Sequence, residues 1–215
     1  MTATTILYGA GILAAFAYLP RAAAPATAAR SVLKALPLCA FALAAWLAGA
    51  SAFLTAALGL SALGDFALSR TGRAAFLYGL GSFGLAHLLY VLAFTDAAGL
   101  PLWEAWLRHP VSSIGLILLA ISTELWLSPH AGRLAWPVRG YVVLIAAMGL
   151  AALTLPAPLA AATAGAALFV ASDLILAIRL FRLPEGHAAE ASAARATWVL
   201  YVAGQALIVL AFAAP

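Results

Sequence analysis

Two aspartates, Asp65 and Asp173, each stand inside a long apolar run, and each is followed by further apolar residues before an arginine arrives. The spacing to that arginine, five residues for Asp65 and six for Asp173, is poor for neutralisation along a helix, where neighbours lie three or four residues apart. An ionisable side chain in hydrocarbon costs about 2.5–3.5 kcal/mol on insertion scales, so such a residue marks a candidate site. The two aspartates together are therefore the leading candidates for a functional pair. The apolar runs also hold Lys34, His87, Glu124 and, near one edge, Arg179, with neutral polar Ser61, Tyr78, Ser82, Tyr90, Tyr141, Ser172, Tyr201 and Gln205. Other chemistries lack the residues they need. One intramembrane His and one Cys cannot build a three-His or Cys-rich zinc site. The sequence has no GxSxG, HExxH or GxxxxGK[ST], the signatures of hydrolase, metalloprotease and nucleotide-binding sites.

The elements that must position these residues follow from composition. Of 215 residues, 66% are apolar and 8% charged, against roughly 25% charged in soluble domains. Lipid forces backbone polar groups to be satisfied within the segment, leaving helices or closed barrels. Barrel strands alternate with period two, whereas these apolar runs are continuous and about the length of a membrane-crossing helix. The chain therefore reads as an all-α polytopic membrane bundle of about eight transmembrane helices and a single membrane domain. Punctuation by Pro, Gly and charge places the spans at about 4–20, 31–50, 52–69, 73–94, 111–128, 138–156, 158–180 and 195–213. The first run has no basic residue before it, so it reads as a helix rather than a signal peptide. Cys39 has no partner for an intrachain disulfide and reads as a buried thiol.

The net charge of +4 is spread singly between runs and does not form a nucleic-acid patch. Ten of the eleven basic residues (Arg21, Arg30, Lys34, Arg70, Arg73, Arg133, Arg139, Arg179, Arg182 and Arg195) flank the loops after spans 1, 3, 5 and 7, and only Arg108 lies at the other end. By the positive-inside rule those loops are cytoplasmic and both termini are outside. The Ala-rich usage points to a bacterial cytoplasmic (inner) membrane. From this topology, Lys34, Asp65 and Glu124 lie about 6 Å below the cytoplasmic helix ends, and Asp173 and Tyr201 about 9 Å. Five helices thus place polar groups in one layer. His87, fourteen residues into its span, lies about 21 Å from the same face, a level that argues against direct proton exchange with the aspartates. Each residue also has a plainer reading: Lys34 snorkelling to the interface, Glu124 pairing with Arg139 or Arg133, His87 linking helices.

A weaker pattern divides the chain into a 4+4 parallel repeat. Gly64-Asp65-Phe66-Ala67-Leu68 in span 3 aligns with Ser172-Asp173-Leu174-Ile175-Leu176 in span 7, and Val91-Leu92-Ala93-Phe94 with Val209-Leu210-Ala211-Phe212. His87 then matches Gln205. Chance likeness between Ala/Leu-rich helices is the alternative.

Several segments resemble the YhhN family, which includes the lysoplasmalogenases. Lys34-Ala35-Leu36-Pro37-Leu38 is similar to its Lys-Pro-Leu-Pro segment, with Ala35 where the family has proline. Leu63-Gly64-Asp65-Phe66-Ala67-Leu68 resembles Gly-Asp-x-x-Leu. Phe76 to Phe83, with Ser82, followed by His87 and Tyr90, resembles Phe-x-x-Gly-x-x-Ser/Ala-Phe-x-x-x-His-x-x-Tyr. Gly165 to Asp173 resembles Gly-x-x-x-Phe-x-x-Ser-Asp, and Tyr201 with Gln205 resembles Tyr-x-x-x-Gln. The resemblance implies hydrolysis of the vinyl-ether bond of a lysophospholipid, a lysoplasmalogen, to a fatty aldehyde and glycerophospho-ethanolamine or -choline, with no metal and no cofactor. Asp65 and Asp173 are then the expected catalytic pair. Lys34, Ser82, His87, Tyr90, Tyr141, Ser172, Tyr201 and Gln205 are the expected substrate-binding or supporting residues. Protonation of carbon gives an oxocarbenium ion, to which water adds before the hemiacetal collapses; the residues leave open which aspartate is the acid. A rival reading is a small proton-coupled transporter using the same carboxyls, and a third is a structural membrane scaffold.

Overall fold

The structure, a computed structural model, describes residues 2–184 and 186–213. Among the described residues there are eight long helices and no strand: α1 (Ala3–Tyr18), α2 (Ala28–Leu47), α3 (Ala52–Leu68), α4 (Arg73–Ala98), α5 (Pro110–Trp126), α6 (Ala135–Leu153), α7 (Ala160–Phe181) and α8 (Glu190–Ala213). A short helical turn, Ala105–Arg108, interrupts the loop between α4 and α5. Seven of the eight, counting flanking turns, are long and apolar enough to cross a membrane; α3, at 17 residues, is the shorter apolar helix. The chain is a multi-pass membrane bundle.

Caps explain where the helix ends depart from the apolar pattern. The Thr27 side chain accepts from the Arg30 backbone N–H, starting α2 at Ala28, three residues before the expected 31. The Ser51 side chain caps α3 in the same way through Leu54, and that helix starts at Ala52, as expected. At the other extreme, α8 begins at Glu190, one turn before the expected 195, because its first turn is amphipathic and does not register as apolar.

Helices adjacent in the chain pack together. In the first half α1 packs on α2, α2 on α3 and α3 on α4; in the second, α5 packs on α6, α6 on α7 and α7 on α8. The halves then cross over, α4 packing against α6 and α8 against α2. The α7–α8 pair is the tightest: a Cβ on Gly165 would stand 2.5 Å from the Gly204 carbonyl oxygen, so only glycine lets these backbones meet. In the α3–α4 hairpin, Gly64 makes room for the Phe83 ring in the same way. Gly72, with φ of +99°, makes the turn between those two helices.

Candidate active site

Asp65, on α3, is almost wholly enclosed, its side chain 2% exposed. Lys34 from α2 places Nζ 3.1 Å from Oδ1, and the Tyr201 hydroxyl from α8 donates to Oδ2 at 2.7 Å. Lys34 is thus an ion-pair partner and not a side chain reaching for the interface. The Tyr201 ring is held by edge contacts to Phe169 and Phe83, at 5.2 and 5.8 Å between centroids.

Asp173, on α7, has different company. The Tyr141 hydroxyl from α6 donates to Oδ2 at 3.1 Å, and His87 Nε2 from α4 lies 3.6 Å from the same oxygen. His87 is therefore nearer than its expected level allowed, and the geometry gives the reason. The Phe76 ring meets Phe181 edge-on at 6.1 Å, so the last residue of α7 is level with the first turn of α4. From that common level His87 is eleven residues up, about 16 Å, and Asp173 eight residues up, about 12 Å. Side chains lean toward the N-terminus of their own helix. Since α4 and α7 run antiparallel, His87 and Asp173 lean toward each other and close the remaining turn.

Both aspartates line one cavity of about 240 Å³ toward the arginine-rich end of the bundle, with Lys34, Tyr201, Ser172, Arg30, Arg70 and Arg179 on its wall. Arg30 is occupied: it donates to the carbonyls of Arg21 and Ala22 at 2.9 and 2.8 Å and stacks over Tyr18. Among the described residues, neither Arg70 nor Arg179 has a carboxylate within salt-bridge reach, and the buried Nε of Arg179 has no partner. Asp173 and Tyr141 also border a second cavity of about 100 Å³ between α4, α5, α6 and α7, lined by residues such as Leu80, Leu116, Ile145 and Val170. Asp173 is thus a shared wall between a polar, basic cavity and an apolar one.

The remaining expected residues fall behind this site. Tyr90 donates to Gln205 Oε1, and Gln205 Nε2 donates to Ser61 Oγ at 3.3 Å, all three buried. This chain ties α4, α8 and α3 together, and Gln205, expected to bind or support the substrate, is not on the cavity wall. Ser82 donates to the Leu60 carbonyl across the α3–α4 hairpin at 2.7 Å. Ser172 lies on the cavity but donates to Phe169 of its own helix. Glu124 does not join the polar layer: it forms a surface pair with Arg139 at 2.7 Å and accepts from Ser128 at 3.0 Å. The sequence reading missed Tyr18 and Trp198 on the cavity wall; aromatic residues near helix ends were the available signal.

The YhhN family model matches residues 29–212. The chain belongs to the YhhN family. Two relatives are named lysoplasmalogenase, one from Mycobacterium bovis (strain ATCC BAA-935 / AF2122/97) and one from Mycobacterium tuberculosis (strain CDC 1551 / Oshkosh). Each is 35% identical over 164 residues, covering 74% of this chain and 60% of the relative. The chain thus spans about 60% of the length of the curated relatives it matches. No solved structure matches it. The family match takes in both aspartates and the residues that touch their carboxyl groups, Lys34, His87, Tyr141 and Tyr201.

Proposed function

We propose that this protein is a lysoplasmalogenase of a bacterial inner membrane. It would hydrolyse the vinyl-ether bond of a lysophospholipid at the cytoplasmic interface, where the basic loops place the arginine-rich end. The observation that carries this reading is the position of Asp173 on the wall between a basic cavity and an apolar one. A lysoplasmalogen has the same division. Its phosphate is anionic, its chain is hydrocarbon, and the vinyl ether sits where they join. The phosphate lies against Arg70 and Arg179, cavity-wall cations that have no carboxylate partner among the described residues. The chain lies in the apolar cavity.

Asp173 is then the proton donor to the vinyl carbon, because it alone of the two aspartates borders the compartment that takes the chain. Electrons of the double bond form the new C–H bond, and the ether oxygen carries the resulting cation. Asp65, fixed by Lys34 and Tyr201, orients the water that adds to that cation. The hemiacetal collapses as its C–O bond to glycerol breaks, the glycerol oxygen taking the hydroxyl proton.

Purified protein in detergent should release aldehyde from lysoplasmenyl-ethanolamine and none from the ester analogue. Turnover in D2O, with the aldehyde trapped at once, should leave one deuterium on the carbon next to the carbonyl. Aldehyde without that deuterium would exclude carbon protonation; no aldehyde from either lipid would favour the transporter reading.

A further inference from the structure

His87 is fully enclosed, its ring packed between Phe169 at 4.7 Å and Tyr141 at 5.2 Å. Nδ1 lies 2.6 Å from the backbone carbonyl oxygen of Phe83, one turn earlier on α4. A carbonyl oxygen only accepts, so the proton at that contact belongs to Nδ1. In the neutral ring, Nε2 is then a bare lone pair. It is buried and has no hydrogen-bond partner among the described residues. The polar atom that faces it is Oδ2 of Asp173, 3.6 Å away, which also accepts from the Tyr141 hydroxyl. A bare imidazole nitrogen and a carboxylate oxygen both accept, and two acceptors held face to face repel. A proton on Oδ2, directed at Nε2, removes the conflict and satisfies both atoms with a small side-chain rotation. Catalytic hydrogen bonds are often this long before substrate binds.

We propose that His87 is a positioning residue: its Nε2 lone pair holds the proton of Asp173 in place for delivery to the vinyl carbon. The inference rests on the reading of Asp173 as the proton donor. His87 stays neutral through the step, and Nδ1 stays bonded to Phe83. When the proton leaves Oδ2 for carbon, Asp173 is left a carboxylate. When water adds to the oxocarbenium carbon, the proton that water loses returns to Oδ2 and the hydrogen bond to Nε2 re-forms. The site is back in its starting state after one water is consumed, and no other co-reactant is needed. His87 thereby has a chemical task distinct from the helix-tying task of Gln205, its counterpart in the second half.

Infrared difference spectra of the full chain, wild type minus Asp173→Asn, read this without turnover. They should contain a hydrogen-bonded carboxyl C=O band at neutral pH that moves to higher frequency in His87→Phe. That variant keeps an aromatic ring among aromatic neighbours and removes only the nitrogens. It should lower kcat roughly tenfold, at the low end of proton-transfer effects, with KM within about twofold. His87→Gln, whose amide oxygen can accept from Oδ2, should recover most of the band position and of kcat. If His87→Phe does not fold, His87→Gln alone still decides, because a wild-type-like band requires an acceptor at this position. A band unmoved in His87→Phe, or only carboxylate bands from Asp173, would overturn the proposal. Absence of aldehyde from wild-type protein would instead remove the enzymatic reading and leave the infrared result standing.

Discussion

The two aspartates hold equivalent places in the two halves of the bundle and meet different partners. Asp65 on α3 is joined by a residue of α2, and Asp173 on α7 by a residue of α6. Those partners, Lys34 and Tyr141, each lie six positions after the first residue of their helix. The crossing helix also contributes to each: Tyr201 from α8 to Asp65 and His87 from α4 to Asp173. What differs is charge. One station carries an ammonium and a phenol, the other a phenol and an imidazole. One carboxyl is thus closed into an ion pair, and the other faces both compartments of the site.

The largest expected effect breaks this comparison directly. Asp173→Asn should lower kcat by about a thousandfold and Asp65→Asn by about a hundredfold, within the range of general acid–base catalysis. The second variant has an added consequence. It strands Lys34, and removing one partner of a buried ion pair costs about 3–5 kcal/mol. Thermal unfolding in detergent should therefore drop more for Asp65→Asn than for Asp173→Asn. Adding Lys34→Met to Asp65→Asn should restore stability and leave kcat low. If kcat returns as well, Asp65 is structural and the chemistry belongs to Asp173 alone.

A smaller effect separates the cations. Taken alone, Lys34 reads as a phosphate contact whose loss raises KM. The ion pair changes that expectation: Lys34→Ala should both destabilise the fold and depress kcat, because Asp65 loses the group that fixes it. Arg70→Ala and Arg179→Ala should raise KM by roughly tenfold with kcat within about threefold, since the phosphate charge is the same in ground and transition states. Equal KM values for wild type and both variants would place the phosphate elsewhere.

Much of this arrangement was legible before the structure. Hydropathy gave the helices and their number, since in lipid the backbone leaves little choice. Charge in apolar runs singled out Lys34, Asp65 and Asp173. What misled was level. Counting residues from a nominal helix end assumes that all helices end together, and α4 and α7 do not. Side-chain lean adds several ångströms more, in opposite directions for antiparallel neighbours. His87 was thus set apart from a carboxyl that lies 3.6 Å away. Glu124 erred the other way: it sits near the right level, and the helix face, which hydropathy barely encodes when every side is apolar, turns it to the surface. Gln205 shares the face of Tyr201, four residues earlier, and lies one turn beyond the cavity, on Ser61.

The smallest effect concerns where the chain runs. Beyond the apolar cavity at Asp173 lies another, of about 340 Å³, that shares Leu116, Leu119 and Val170 with it and is walled by Gly115, Gly149, Ala152 and Ala166. Together they form a path along α5 and α7 away from the arginine-rich end. Gly115 is eight residues from Thr123, which lines the apolar cavity, or about 12 Å along α5. A Cβ at Gly115 would meet nothing within 4 Å, so a side chain can start there without a backbone clash. Gly115→Phe should leave a substrate whose chain stops short of that point unchanged, and lower kcat/KM for a long-chain substrate. The expected loss is only about threefold. A displaced chain end passes into lipid, which is as apolar as the groove, so the variant removes shape complementarity and little hydrophobic contact. Measuring kcat/KM for short and long 1-alkenyl lysolipids decides the matter: a ratio unchanged between variant and wild type would take the chain out of this groove, while the junction at Asp173 would keep its other support.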